Sequence, residues 1–209
     1  MKKMALLLCV LVIGYPTTSA AMVGVAVGGK AGFANYSGDV LPSSGDVGLS
    51  GYYGAVLEIT TLPVLDFELH ANYFTNDFVY TYEYGGVPIT TSFQFQDFHV
   101  LALVKKNLIR APGSPVALYL GAGAGWHLIN TEAVLQLADS GSGYDPALAD
   151  DPVALLKDSA RMSADGLVGL KVSLPVMPLA IFSETRYGVI FTDASLRTFQ
   201  IEAGVMLDL

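Results

Sequence analysis

Apolar and polar residues alternate along most of this chain. In Val116–His127 the even positions are Val116, Leu118, Leu120, Ala122, Ala124 and Trp126, and the odd ones are Ala117, Tyr119, Gly121, Gly123, Gly125 and His127. A β-strand sends successive side chains to opposite faces, so such a segment has one greasy face and one small or polar face. The C-terminal stretch repeats the pattern more cleanly. Phe199, Ile201, Ala203, Val205, Leu207 and Leu209 oppose Thr198, Gln200, Glu202, Gly204, Met206 and Asp208. Met162–Leu174 and Leu179–Val189 read the same way, as do Val23–Phe33, Tyr53–Thr60 and Leu65–Tyr73, with more noise. With a further segment around residue 97, eight strands are predicted.

The gaps between these strands alternate in length. Thr61–Pro63, Asn107–Pro115 and Leu174–Pro178 are short and contain proline. Ser37–Leu49, Asn76–Thr91, Ile129–Arg161 and Ile190–Leu196 are mostly longer and richer in Asp, Gly and Ser. An up-and-down antiparallel barrel gives this pattern when its short turns share one end.

Composition then distinguishes among barrels. Of 209 residues, 52% are apolar and 14% charged, against about 25% charged in an ordinary soluble chain. No stretch after the first segment offers 18 uninterrupted apolar residues, so membrane helices do not explain this hydropathy. The net charge of −8 argues against nucleic acid as a partner, which calls for a basic footprint. Residues 1–20 read as a secretory signal peptide: Lys2 and Lys3 precede the apolar run Met4–Ile13, and Thr18-Ser19-Ala20 supplies small residues for cleavage. Residues 21–209 then form the barrel domain, without Cys9 and so without thiol or disulfide chemistry.

The polarity order places the large apolar side chains on one near-continuous face, while charges share the other with glycines. In a membrane-spanning barrel the first face meets lipid and the second fills a narrow lumen. Lys30, Glu58, Glu68, Asp165, Lys171, Glu184, Arg186 and Glu202 all fall on the inward side. Charges in so narrow a bore pair with one another or with trapped water, which favours a plug over a conduction path. Aromatics gather near strand ends, at Tyr52, Tyr53, Tyr73, Phe74, Trp126, Tyr187, Phe191 and Phe199, as suits membrane interfaces. Around residue 97, Phe98, Val100, Ala102 and Val104 fit the apolar face, but Phe93 and Phe95 have the other parity. A bulge that resets the register, or rings standing above the membrane, would account for them.

On the signal, the glycine-rich strand Tyr119–Gly125 and the terminal strand Phe199–Leu209, the chain resembles the small outer-membrane β-barrel family of OmpX, Ail and the OmpA membrane domain. The resemblance implies an all-β, eight-stranded antiparallel transmembrane barrel in a bacterial outer membrane, reached by export through the periplasm. It also implies that Phe199, Ile201, Ala203, Val205, Leu207 and Leu209 serve as the signal read by the barrel assembly machinery. That family usually ends in Phe, where this chain has Leu209.

Enzymatic chemistry finds little footing. The chain has three histidines. Lipid A deacylases of this size carry a His-x-Ser pair; here His70 is followed two on by Asn72, His99 by Leu101 and His127 by Ile129. The histidines show no HxxxH or CxxC zinc spacing. Asp139–Asp145 is an acidic loop without the glutamate of an EF-hand, and Asp151-Pro152 could cap a short helix through Lys157. The reading is a non-enzymatic barrel with no catalytic, cofactor or metal residues and a structural or surface-interaction role. Its partners would be outer-membrane lipid, the assembly machinery, and an extracellular protein or glycan met by the outer loops, where Asp77, Tyr80, Tyr82, Glu83 and Tyr84 lie. A small passive pore is the alternative, and a lipid-modifying enzyme stands behind it.

Overall fold

The structure, a computed structural model, describes residues 24–38, 48–60, 65–84, 87–109, 114–134, 159–174, 176–192 and 196–209, with side chains left out for 78–93 and 132–134. The expected signal peptide and its boundary at residue 21, the loop Asp139–Asp145 and the helix at Asp151–Lys157 lie outside these residues.

Eight strands follow in chain order: β1 (Gly24–Gly38), β2 (Ser50–Thr60), β3 (Asp66–Tyr84), β4 (Val87–Ile109), β5 (Val116–Val134), β6 (Ser159–Leu174), β7 (Leu179–Ile190) and β8 (Leu196–Asp208). Each pairs antiparallel with its sequence neighbour, and β8 returns to β1, closing the barrel. Within the closed ring each strand is paired on both sides and no sheet edge is left, the condition for carrying strands through hydrocarbon. The period of two sorts the side chains. On β8, Phe199, Ile201, Val205 and Leu207 are exposed while Thr198, Gln200, Glu202 and Met206 are buried. On β5, Leu120, Trp126 and Leu128 face outward and Tyr119, His127 and Ile129 inward.

Three features differ from the sequence-based expectation. The gap Asn76–Thr91 is not a loop: β3 and β4 continue as paired strands from Asn76↔Phe95 up to Tyr84↔Val87. Phe78-Val79-Tyr80-Thr81-Tyr82 is rich in aromatic and β-branched residues, which favour extended pairing. At 19 and 23 residues, these strands far exceed the 9–11 or so needed to cross a bilayer. The pair therefore projects beyond the barrel wall at the end opposite the short turns.

Strand β4 carries no register reset near Phe95. Its pairing with β5 is continuous from Ser92↔Val134 to Asn107↔Tyr119, and the shift falls at Asn107/Ile109. Phe95 points inward because aromatic side chains fill the outer end of the lumen. For the same reason Tyr52 and Phe74 are buried inside rather than in an interfacial girdle. Their strand neighbours Tyr53 and Tyr73 face out, with ring centroids 5.7 Å apart.

Candidate functional site: the filled lumen

The lumen is stacked in tiers. At the end with the short turns, a mouth cavity of about 260 Å³ is lined by residues that include Glu58, Asp66, Asn107, Lys171 and Asp208. Above it Lys171 Nζ donates to Glu58 Oε1 at 2.6 Å, and Lys105 Nζ donates to Glu58 Oε2 at 3.0 Å and also to Glu68. The Lys105 ammonium sits 4.2 Å from the centroid of the Tyr119 ring, close enough for a cation–π contact. Tyr119 donates its hydroxyl to Glu184 Oε1 at 2.7 Å.

Arg186, fully buried, holds the next tier. Its Nη2 donates to Glu202 Oε1 at 2.8 Å, Glu184 Oε2 at 3.3 Å and His70 Nδ1 at 2.9 Å. Lys30 donates to Glu202 and to the same His70 nitrogen, while Tyr52 donates its hydroxyl to Glu202. With Nδ1 accepting, His70 must carry its proton on Nε2, which faces Glu68 Oε2 at 2.8 Å. Such a tier is stable only while each charge keeps its partner, because a buried charge left alone is strongly unfavourable.

A third tier is built on β4, β5 and β6. Asp97 Oδ2 accepts from Tyr36 at 2.6 Å, His127 Nδ1 at 2.8 Å and His99 Nδ1 at 3.2 Å. Asn72 Nδ2 donates to His99 Nε2 at 2.7 Å. His99 and His127 are register partners across β4 and β5, and their rings stack 4.7 Å apart. Ser163 lies 3.1 Å from His127 Nε2 and donates its hydroxyl to Asp165 Oδ2 at 2.5 Å. Asp97, His127 and Ser163 thus have the parts of a nucleophilic triad, arranged for another purpose. The serine proton points at Asp165 and away from the imidazole, whereas nucleophilic activation needs it aimed at the base.

The fourth tier closes the outer end with apolar side chains: Ala34, Tyr36, Tyr52, Phe74, Phe95, Ile129, Ile190 and Leu196. The Tyr36 ring packs 4.7 Å from Phe74 and 5.0 Å from Phe95 between centroids. Tyr36 and Tyr52 tie this tier to the ones below, since their hydroxyls reach Asp97 and Glu202.

Glycines on the inner face make room for these groups. A Cβ on Gly169 would lie 2.4 Å from the Tyr119 ring, and one on Gly188 would lie 2.4 Å from Asp165 Oδ1.

The eight inward charges named from the sequence all face the lumen. Seven are buried, and Lys171 is half-buried beside the mouth cavity. Lys30, Glu58, Glu68, Lys171, Glu184, Arg186 and Glu202 join the lower tiers, while Asp165 belongs to the third. Sequence reasoning missed Lys105, which donates hydrogen bonds to Glu58 and Glu68 and also lies 3.9 Å from Glu184 Oε1, and Asp97. Both share the parity of His99 on β4, and the unresolved phase of that strand hid them. Phe199, Ile201, Ala203, Val205, Leu207 and Leu209 line the outer surface of β8 and its end.

Neither a family model nor a curated protein matches the chain. Among solved structures it is similar to Neisserial surface protein A, at 17% identity, 88% coverage of this chain and 96% of that one, with a TM-score of 0.56. Ail of Yersinia pestis, solved with the heparin analogue sucrose octasulfate, matches at 13% identity over 89% and 100% of the two chains, with a TM-score of 0.47. OprG from Pseudomonas aeruginosa matches at 12% over 93% and 99%, with a TM-score of 0.48. The first of these likenesses establishes the fold of a small eight-stranded outer-membrane barrel.

Proposed function

We propose that this protein is a non-enzymatic barrel of a bacterial outer membrane, closed to passive flow, which acts through its outer-facing end and by stabilising the envelope. The observation that carries this reading is the filled lumen. An ion-paired stack centred on Arg186 lies beneath an apolar tier of Tyr36, Phe74 and Phe95. The charged groups of such a core are engaged with one another. Outside, Leu120, Val168, Ile201 and Val205 present the apolar wall that a bilayer core demands. The terminal β8 positions from Phe199 to Leu209 are available to the assembly machinery, and the projecting β3–β4 pair offers a surface for an extracellular protein or glycan.

Two measurements test this. In planar bilayers the refolded protein should give no sustained openings of uniform size, and such openings would replace the plug with a pore. In fractionated cells it should appear in the outer membrane with heat-modifiable mobility on gels. A protein recovered in the soluble periplasm without a folded-barrel band sinks the reading. Altered lipid A on overexpression would reinstate the enzyme alternative.

A further inference from the structure

We propose that the third tier of the lumen is a binding site for one divalent transition-metal ion, with Asp97, His99 and His127 as ligands. Two groups of described residues have metal-ligating atoms within 4.8 Å of one another: Asp97, His99 and His127, and separately Glu68, His70 and Glu184. The second group is already filled by cations. Lys105 donates to Glu68, while Lys30 and Arg186 both donate to His70 and Arg186 also donates to Glu184. A metal ion there would have to displace ammonium and guanidinium groups.

The first group is arranged differently. Both histidines turn Nδ1 toward one carboxylate oxygen, at 2.8 and 3.2 Å. Two donors each about 2.1 Å from a tetrahedral ion lie roughly 3.4 Å apart, so the spacing needs little adjustment. An aspartate with two imidazoles is the donor set favoured by zinc and similar first-row ions.

Unpartnered atoms at the same place point to a ligand. Asp97 Oδ1 and Asn72 Oδ1 are buried without a hydrogen-bond partner, and both residues are 1% exposed or less. Metal binding would use both. An ion bound at the Nδ1 atoms leaves each imidazole with a proton on Nε2, and that proton needs an acceptor. His127 already has one: because Ser163 gives its only proton to Asp165, Nε2 must be the donor in the contact with Ser163. For His99, turning over the Asn72 amide presents its Oδ1 to Nε2. Asp97 Oδ1 then becomes a further metal ligand. On loading, His99 moves its single proton from Nδ1 to Nε2, and the proton on His127 Nδ1 leaves with solvent.

The test uses the untagged chain, refolded in detergent with Zn²⁺ and freed of loose metal by gel filtration. About one zinc per folded barrel is expected, with H99Q and H127Q at least tenfold weaker, and S163A, which removes a positioning residue, weaker by about tenfold. Wild-type barrels without stoichiometric zinc, or unchanged binding in both histidine variants, would overturn the site. Should those variants fail to fold, Co²⁺-loaded wild type decides. Low-coordinate ligand-field bands and a two-imidazole X-ray absorption signature support the assignment, whereas a six-coordinate aquo-like spectrum refutes it.

Discussion

Gly166 and Gly169 lie three residues apart on β6 and answer to different constraints. Gly166 faces outward, where an added Cβ would meet no atom within 4 Å. Gly169 faces inward under the Tyr119 ring, where the same Cβ would stand 2.4 Å from it. The contrast extends around the barrel. The outer face asks each residue only to be apolar, because lipid has no fixed shape. The inner face specifies size, charge and hydrogen-bond direction, because the side chains there take their partners from one another.

The largest expected break in this contrast is Arg186→Ala. It removes the cation shared by Glu184 and Glu202, and losing one partner of a buried ion-pair network costs about 3–5 kcal/mol. The urea midpoint of the refolded barrel should fall accordingly, and an unchanged midpoint would mean the lower tiers are not a working network. Val168→Lys challenges the outer face instead. Near the middle of β6, a lysine aimed at lipid should cost about 2–4 kcal/mol. An equal midpoint in bilayers for mutant and parent would argue that this face does not meet hydrocarbon.

Gly169→Ala comes next, at about 1–3 kcal/mol from crowding against Tyr119. Gly166→Ala should change stability by less than about 0.5 kcal/mol. Measured side by side, the two alanines sharpen the comparison most directly, since the chemical change is identical and only the face differs. Similar losses for both would show that β6 is registered otherwise.

The faces were legible in the sequence wherever alternation was clean. On β8 and β6 the inward set, Glu202 with Asp165 and Lys171, follows from parity alone. Strand β4 resisted. Phe95 looked out of phase because an inward phenylalanine contradicts the expectation of a polar lumen, and the apolar tier that explains it draws on several strands. The same oversight put Tyr52 and Phe74 with the outer aromatics. The third tier was harder still. Asp97 and His99 share a face by spacing, but His127 joins them only through its register with His99 across β4 and β5.

By itself, then, the sequence determined the number of strands, the face of each side chain wherever the alternation was clean, and the membrane-compatible order of polarity. These are local properties of a period of two. The tertiary structure decided which inward groups meet. Lys30 on β1 reaches Glu202 on β8 because the barrel closes, and Lys105 reaches Glu58 and Glu68 because β2, β3 and β4 bring them to one height. Parity sets a side chain's face but not its level along the barrel axis. That level comes from strand register and tilt, and in a bore this narrow it selects every partner.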